Sequence, residues 1–223
     1  MIARRLGHPF SLAFALFFES LIHWYRCDHG PQRECATEVI ALSEAQEFPL
    51  YVGVGRVMHA LARVMDREPD ALAEMIDGLT LAAGTGSQTG APGFMLFLAG
   101  AQQVAGELAA AQATVATGLA VAAQTGQPGW DADLHRLDGE LLLALGGAPE
   151  ESAARYTRAL DLAREYGTRS YELRAATRLA RLWEQQGKRA AARDLLAPVY
   201  AWFTEGFDTR DLQEAKTLLA TLA

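Results

Sequence analysis

Leu173, Ala176, Leu179, Ala180 and Trp183 recur at intervals of three and four residues, the spacing that puts them on one face of an α-helix. Gly187 and Lys188 break that stripe, and Ala191, Ala192, Leu195 and Leu196 open a second one. Two apolar stripes on either side of a short polar break predict a pair of antiparallel helices. Small side chains at Ala180 and Ala192 let the two backbones approach, while Trp183 and Leu196 fill the space beside them. Such a hairpin cannot bury both of its faces alone, so stacked neighbours must cover it.

The pattern repeats. The segments IARRLGHPFS, ALSEAQEFPLY, LAAGTGSQTG, VAAQTGQPGW and LAREYGTRSY each close one apolar-periodic stretch and open another. Aligned, they place Gly7, Glu47, Gly86, Gly126 and Gly167 in register, at steps of 40, 39, 40 and 41 residues. Glycine at four of these five positions suits a helix end where the chain turns left-handed. Leu98, Ala99, Gly106, Ala111, Val115 and Leu119 follow the spacing of Leu179, Ala180, Gly187, Ala192, Leu196 and Tyr200. Gly139, Leu142, Gly146, Ser152, Tyr156 and Ala159 follow it with one extra residue in the turn. The units beginning near Pro9 and Pro49 keep the helices but lose the glycine turn, and Pro31 and Pro69 stand where second helices would start.

The expected fold is therefore all-α: a single α-α superhelical solenoid of about five helical hairpins, over units 8–47, 48–86, 87–126, 127–167 and 168–205, with a capping helix at 208–222. Asp208 or Thr209 can cap that last helix, whose stripe is Leu212, Ala215, Leu218, Leu219 and Leu222. Met1–Leu6 match the close of a second helix, as in Asp161–Tyr166, and residues 1–7 are expected to be the remnant of a preceding repeat. The helix from Pro9 to Arg26 carries apolar residues around most of its circumference, so an exposed apolar patch and a homodimer through this end are expected.

Composition agrees with the pattern. Half of the 223 residues are hydrophobic, and alanine and leucine, which lose little freedom in a helix, dominate. A net charge of -7 argues against nucleic acid as a partner. Two cysteines, Cys27 and Cys35, make no disulfide framework and fit a reducing cytoplasm. Arg4 and Arg5 followed by FSLAFALFF imitate a signal peptide, but no small-residue cleavage site follows. The same run is too short and too interrupted to span a membrane, and no membrane partner is expected.

The spacing of Leu179, Ala180, Trp183, Gly187 and Ala192 resembles the tetratricopeptide (TPR) consensus, and the forty-residue period is similar to the longer TPR-like units of maltose-regulator-type activators. GHPFSLAFALFFESLIHWYR near the start and LWEQQGKRAAARDLLAPVYAWFTEGFDTRDLQEAKTLLATL at the end resemble the carboxy-terminal region of large bacterial signalling proteins. In those, a class III adenylyl cyclase or other output domain precedes a STAND-type ATPase and then a helical array. The resemblance implies an array that senses a partner or ligand and restrains the ATPase.

No catalytic apparatus accompanies that resemblance. There is no phosphate loop: Gly187-Lys188 lacks the upstream glycine and is followed by Arg189, and the stretch Gly84–Gly93 has no lysine and reads as an inter-repeat loop. Cys27, His29 and Cys35, with His23 near, are the cluster that comes closest to metal ligands, but the CxxC spacing of structural zinc sites is missing, so neither metal nor cofactor is expected. The five histidines are dispersed, no serine sits in a GxSxG turn, and no enzyme is expected.

A solenoid has one foreseeable functional surface, the groove lined by the first helix of each hairpin. Carrying that geometry along the register gives His23, Arg56, Arg63, Gln103, Arg136, Glu140, Arg174, Thr177, Arg181 and Glu184. Arginine's planar fork suits carboxylates, phosphates and peptide termini, so an acidic protein or peptide partner is expected there. The alternative is that these arginines are ordinary exposed helix residues paired with nearby glutamates. The leading expectation is a protein-interaction and regulatory scaffold module; the second is a receptor for a small effector in the same groove.

Overall fold

The structure, a computed structural model, describes residues 2–223; Met1, part of the stretch read as a repeat remnant, lies outside the described residues. Among the described residues twelve α-helices follow one another: α1 Ile2–Leu6, α2 Pro9–Arg26, α3 His29–Ala45, α4 Pro49–Met65, α5 Ala71–Gly84, α6 Ala91–Ala105, α7 Leu108–Thr125, α8 Asp131–Ala144, α9 Pro149–Glu165, α10 Arg169–Gln185, α11 Arg189–Ala201 and α12 Arg210–Thr221. A 3-10 turn at Pro128–Trp130 leads into α8, and no strand occurs among the described residues. The fold is all-α and of the helical-repeat kind. No described helix is long and apolar enough to cross a membrane.

Each turn is built the way the register requires. Gly7, Glu47, Gly86, Gly126 and Gly167 all have positive φ, between 53° and 77°. A second series, one helix later, does the same: Cys27, Arg67, Gly106, Gly146 and Gly187 have φ between 58° and 84°. The spacing of this second series is again 40, 39, 40 and 41 residues. At Glu47 the amide donates to Glu44 and that of Phe48 to Ser43 (2.9 Å), the paired bonds that close a helix on a left-handed residue. Pro9, Pro49 and Pro149 each open a helix, where a missing N–H costs nothing.

The chain divides into two compact units, one holding the residues through Gly90 with Gly100–Glu107, the other Ala91–Ala99 with Leu108–Ala223. In the first, α2 packs on α3, α3 on α4 and α4 on α5. The centre is α4, which buries Val57, Met58, Ala60, Leu61 and Ala62 completely. A Cβ on its Gly53 would come within 2.9 Å of the Gly78 carbonyl in α5, so the two backbones touch. A buried polar chain ties the layers: Ser20 Oγ donates to the Gln32 carbonyl, and Gln32 Nε2 to the Met58 carbonyl.

In the second unit Leu96 and Ala99 of α6 pack with Ala111 and Val115 of α7 and with Leu134, Leu137 and Leu141 of α8. Gly93 belongs to this layer as part of α6, not to a loop: the Trp130 ring lies so close that a Cβ there would meet it at 2.6 Å. A second core joins Tyr156 and Ala159 of α9, Leu173, Ala176 and Leu179 of α10, Ala192 and Leu196 of α11, and Leu212, Ala215 and Leu218 of α12. The α12 helix packs on α10 and α11.

Candidate functional site

In the second unit α8, α10 and α12 lie side by side. Residues at helical spacing on each turn charged side chains toward the next. On α8, Asp133, Arg136 and Glu140 form one row; on α10, Arg174, Arg178 and Arg181; on α12, Asp211 and Glu214. Asp133 accepts from Arg136 and from Arg174 Nη1 (3.4 Å), and Arg174 Nε donates to Asp211 (2.6 Å). Glu140 accepts from Arg136 (2.7 Å) and from Arg178, which donates onward to Glu214 (2.6 Å), and Arg181 reaches the same Glu214 at 2.8 Å. The result is a ladder of four guanidiniums and four carboxylates with no net charge.

The inner rungs of this ladder are not a solvated surface. The Asp133 side chain is 1% exposed, Arg136 12% and Arg174 14%. Burial alone would raise the Asp133 carboxyl; Arg136 and Arg174 overcome it and hold it below the ordinary carboxylate range. Glu140 is the same case, with burial opposed by Arg136 and Arg178. Burial and the neighbouring Glu140 charge push the Tyr156 hydroxyl up.

Of the ten residues assigned to the groove, four meet in or border this ladder: Arg136, Glu140, Arg174 and Arg181. Their arginines are already occupied by the chain's own carboxylates, so they do not present free forks. Thr177 turns inward instead: it is buried, and its hydroxyl donates to the Leu173 carbonyl one turn back. Glu184 accepts from the Thr221 hydroxyl at 2.9 Å. Asp133, Arg178, Asp211 and Glu214 were not singled out by the sequence pattern, although Arg178 follows Arg174 at one-turn spacing, as Glu214 nearly does Asp211. A further buried carboxylate, Glu172, accepts from Arg164 (2.8 Å) and Arg169 (2.6 Å) and locks the α9–α10 turn.

The remaining groove residues lie elsewhere. Arg63 donates to Glu68 (2.7 Å) and pairs with Glu74, which also meets His59 (2.8 Å); Glu68 takes a further bond from Arg33 (2.6 Å). Arg56 pairs with Glu44 at 3.1 Å. Gln103 sits in the last turn of α6, where its carbonyl accepts from Gly106. His23 turns toward α3 rather than outward and approaches Glu19 and Cys35. Cys27 occupies the left-handed cap of α2, and His29 bonds Asp66 (3.0 Å), so of those four residues His23 and Cys35 are the two that meet. Burial, Glu19, Glu38 and Glu34 push the Cys35 thiol up.

Two other features of the first unit stand apart. On α2, Phe10, Phe14, Phe18 and Ile22 run down one side, four residues apart, and are 43–58% exposed. Between the α4–α5 turn and the end of α6 lies a cavity of about 320 Å³, lined by Val64, Leu72 and Val104 and by Arg67, Asp70 and Glu107. No protein-family model matches the chain, and no curated protein matches its sequence.

Proposed function

We propose that the chain is a protein-interaction and regulatory scaffold module that docks another protein on the exposed aromatic face of α2. The observation that carries this reading is the row Phe10, Phe14, Phe18 and Ile22, joined at its start by Leu6 and Ile2, 68% and 72% exposed. Contiguous apolar surface of this kind is rare on proteins that stay single and marks a contact site. A row repeating at i, i+4, i+8 is the pattern by which one helix face seats on another apolar surface. Phe14 and Phe18 support each other at 4.7 Å, and Phe10 meets Phe48 and Tyr51 edge-on, so the row is held in place before any partner arrives.

The occupant is a second copy of this chain, because a row that repeats along a helix is complementary to itself across a two-fold axis. Sedimentation of wild type and of a Phe14→Glu, Phe18→Glu variant tests it: the wild type should associate with rising concentration and the variant should not. A wild type that stays monomeric at high concentration and binds no apolar dye would end this reading. The neutral ladder weakens the earlier expectation of an acidic peptide held by groove arginines. Restraint of an ATPase or cyclase rests on the sequence likeness, and the coding sequence immediately upstream of Met1 decides it.

A receptor for a small effector is the second reading, and the cavity beside Arg67, Asp70 and Glu107 favours it. Its volume is at the lower end for ligand pockets, roughly 300–1,000 Å³. Its lining carries more carboxylates than guanidiniums, so a small cationic compound is the class to screen by thermal shift, with Asp70→Ala as the control that should abolish any response.

A further inference from the structure

Glu19 and His23 are one helical turn apart on α2, and Cys35 faces them from α3 of the same hairpin. A carboxylate oxygen, an imidazole nitrogen and the thiol sulfur, one from each, all lie within 4.8 Å of one another. We propose that these three side chains form a binding site for a divalent transition-metal ion of the zinc type, independent of the docking role above.

The donor set is the first argument. Zinc takes oxygen, nitrogen and sulfur ligands at about 2.0–2.3 Å, which sets tetrahedral ligands roughly 3.4–3.8 Å apart. From within 4.8 Å of one another, the three donors would reach that spacing by side-chain rotation on fixed helices. A thiolate and an imidazole together select against calcium and magnesium, which require oxygen. A thiolate and a carboxylate neutralise the ion in a half-buried place, and three protein ligands leave a fourth position open to solvent.

The support is the second. Ser20 lies between the two α2 ligands and is fully buried, with its hydroxyl bonded to the Gln32 carbonyl. Gln32 is one turn before Cys35 and is itself anchored to α4 through the Met58 carbonyl (2.9 Å). The two helices are thus pinned at the level of the triad, which keeps the ligands in place before an ion binds. The third argument is His23. Its Nδ1 is buried and lacks a hydrogen bond, standing 3.7 Å from the Asp28 carboxylate. With Nε2 on the ion, Nδ1–H turns to Asp28, the outer-sphere carboxylate that metal-bound histidines ordinarily have.

The experiment uses the full chain, reduced and stripped with chelator, titrated with Co²⁺. A single equivalent should bring up a near-ultraviolet thiolate-to-cobalt charge-transfer band and visible bands of tetrahedral intensity. Zn²⁺ should bleach them and raise the melting temperature of the wild type. Cys35→Ser should lose the charge-transfer band, while Cys27→Ser keeps it. Asp28→Asn should weaken zinc binding by about 10–100-fold. Should Cys35→Ser melt early without metal, Glu19→Gln gives the same reading through loss of the zinc-induced shift. A wild type without a thiolate band, a band that survives Cys35→Ser, or a zinc shift equal in wild type and Glu19→Gln overturns the proposal.

Discussion

The Tyr156 ring packs against Gly139, so close that a Cβ at that glycine would stand 2.6 Å from Cε1. Tyr156 is the largest of the fully buried side chains, and Glu140, the next residue on α8, is a rung of the charged ladder. One missing methyl group therefore sets how near α9 approaches α8. Gly139→Ala should destabilise the protein by ~1–3 kcal/mol, as overpacking does. Tyr156→Leu on the same background should recover part of that loss. Urea unfolding of the two variants checks it; an alanine as stable as wild type would mean the ring is free to move aside.

Asp133 is the rung whose loss should cost most. It is buried, and it joins Arg136 of α8 to Arg174 of α10. Removing one member of a buried pair costs about 3–5 kcal/mol, because the charges left behind lose compensation. Asp133→Asn is expected to fall in that range, whereas Arg181→Ala at the exposed end of the ladder should cost under about 1 kcal/mol. Similar unfolding midpoints for the two would contradict the burial of the ladder.

The same ladder makes the protein acid-labile. Asp133 and Glu140 titrate below the ordinary carboxylate range when folded. As pH falls through the ordinary value, about 4, the unfolded chain takes up protons that the folded one refuses. Their contribution is thus complete above that pH, declines below it, and is gone once pH passes the lowered folded values. Urea midpoints measured from neutral pH downward should show a steep acid slope in wild type and a shallower one in Asp133→Asn. Parallel slopes would remove these carboxylates from the account.

Glu47 holds a left-handed position that glycine fills at the four matching turns. A side chain there costs ~1–2 kcal/mol that glycine avoids, less the extra freedom glycine has when unfolded. Glu47→Gly should raise stability by about 0.5–1 kcal/mol, while Ala41→Gly, within α3, should lower it by about 1 kcal/mol. A loss in both variants would mean the Glu47 side chain contributes a contact that outweighs its strain.

Ala192 is fully buried between α10 and α11, and Arg193 beside it is exposed. Ala192→Trp should loosen this hairpin by ~1–3 kcal/mol or more, and Arg193→Ala should be nearly silent. Thermal melts compare them directly, and equal melting temperatures would overturn the assigned helix faces.

Local chemistry was enough to determine most of the helices, although the stretch Gly84–Gly93, read as a loop, ends α5 and opens α6. The stripes from Leu173 to Trp183 and from Ala191 to Leu196 lie inside α10 and α11, and Glu47 takes the left-handed turn that its register position demands. Periodicity reports the rotation of a residue about its own helix axis, and a turn depends on a few neighbouring residues. What periodicity lacks is the stagger between helices. Asp133 meets Arg174 and Arg174 meets Asp211 across intervals of 41 and 37 residues, and only the packing of α8, α10 and α12 brings them to one level. The same holds for Cys35, which closes on Glu19 and His23 rather than on Cys27 or His29, and for Thr177, which bonds backward to Leu173 instead of facing outward. In each case the sequence names a charged or polar side chain on a helix, and the tertiary structure decides its partner. Hydrogen bonds and ion pairs act over a few ångströms, a distance that helix spacing and rotation alone do not set.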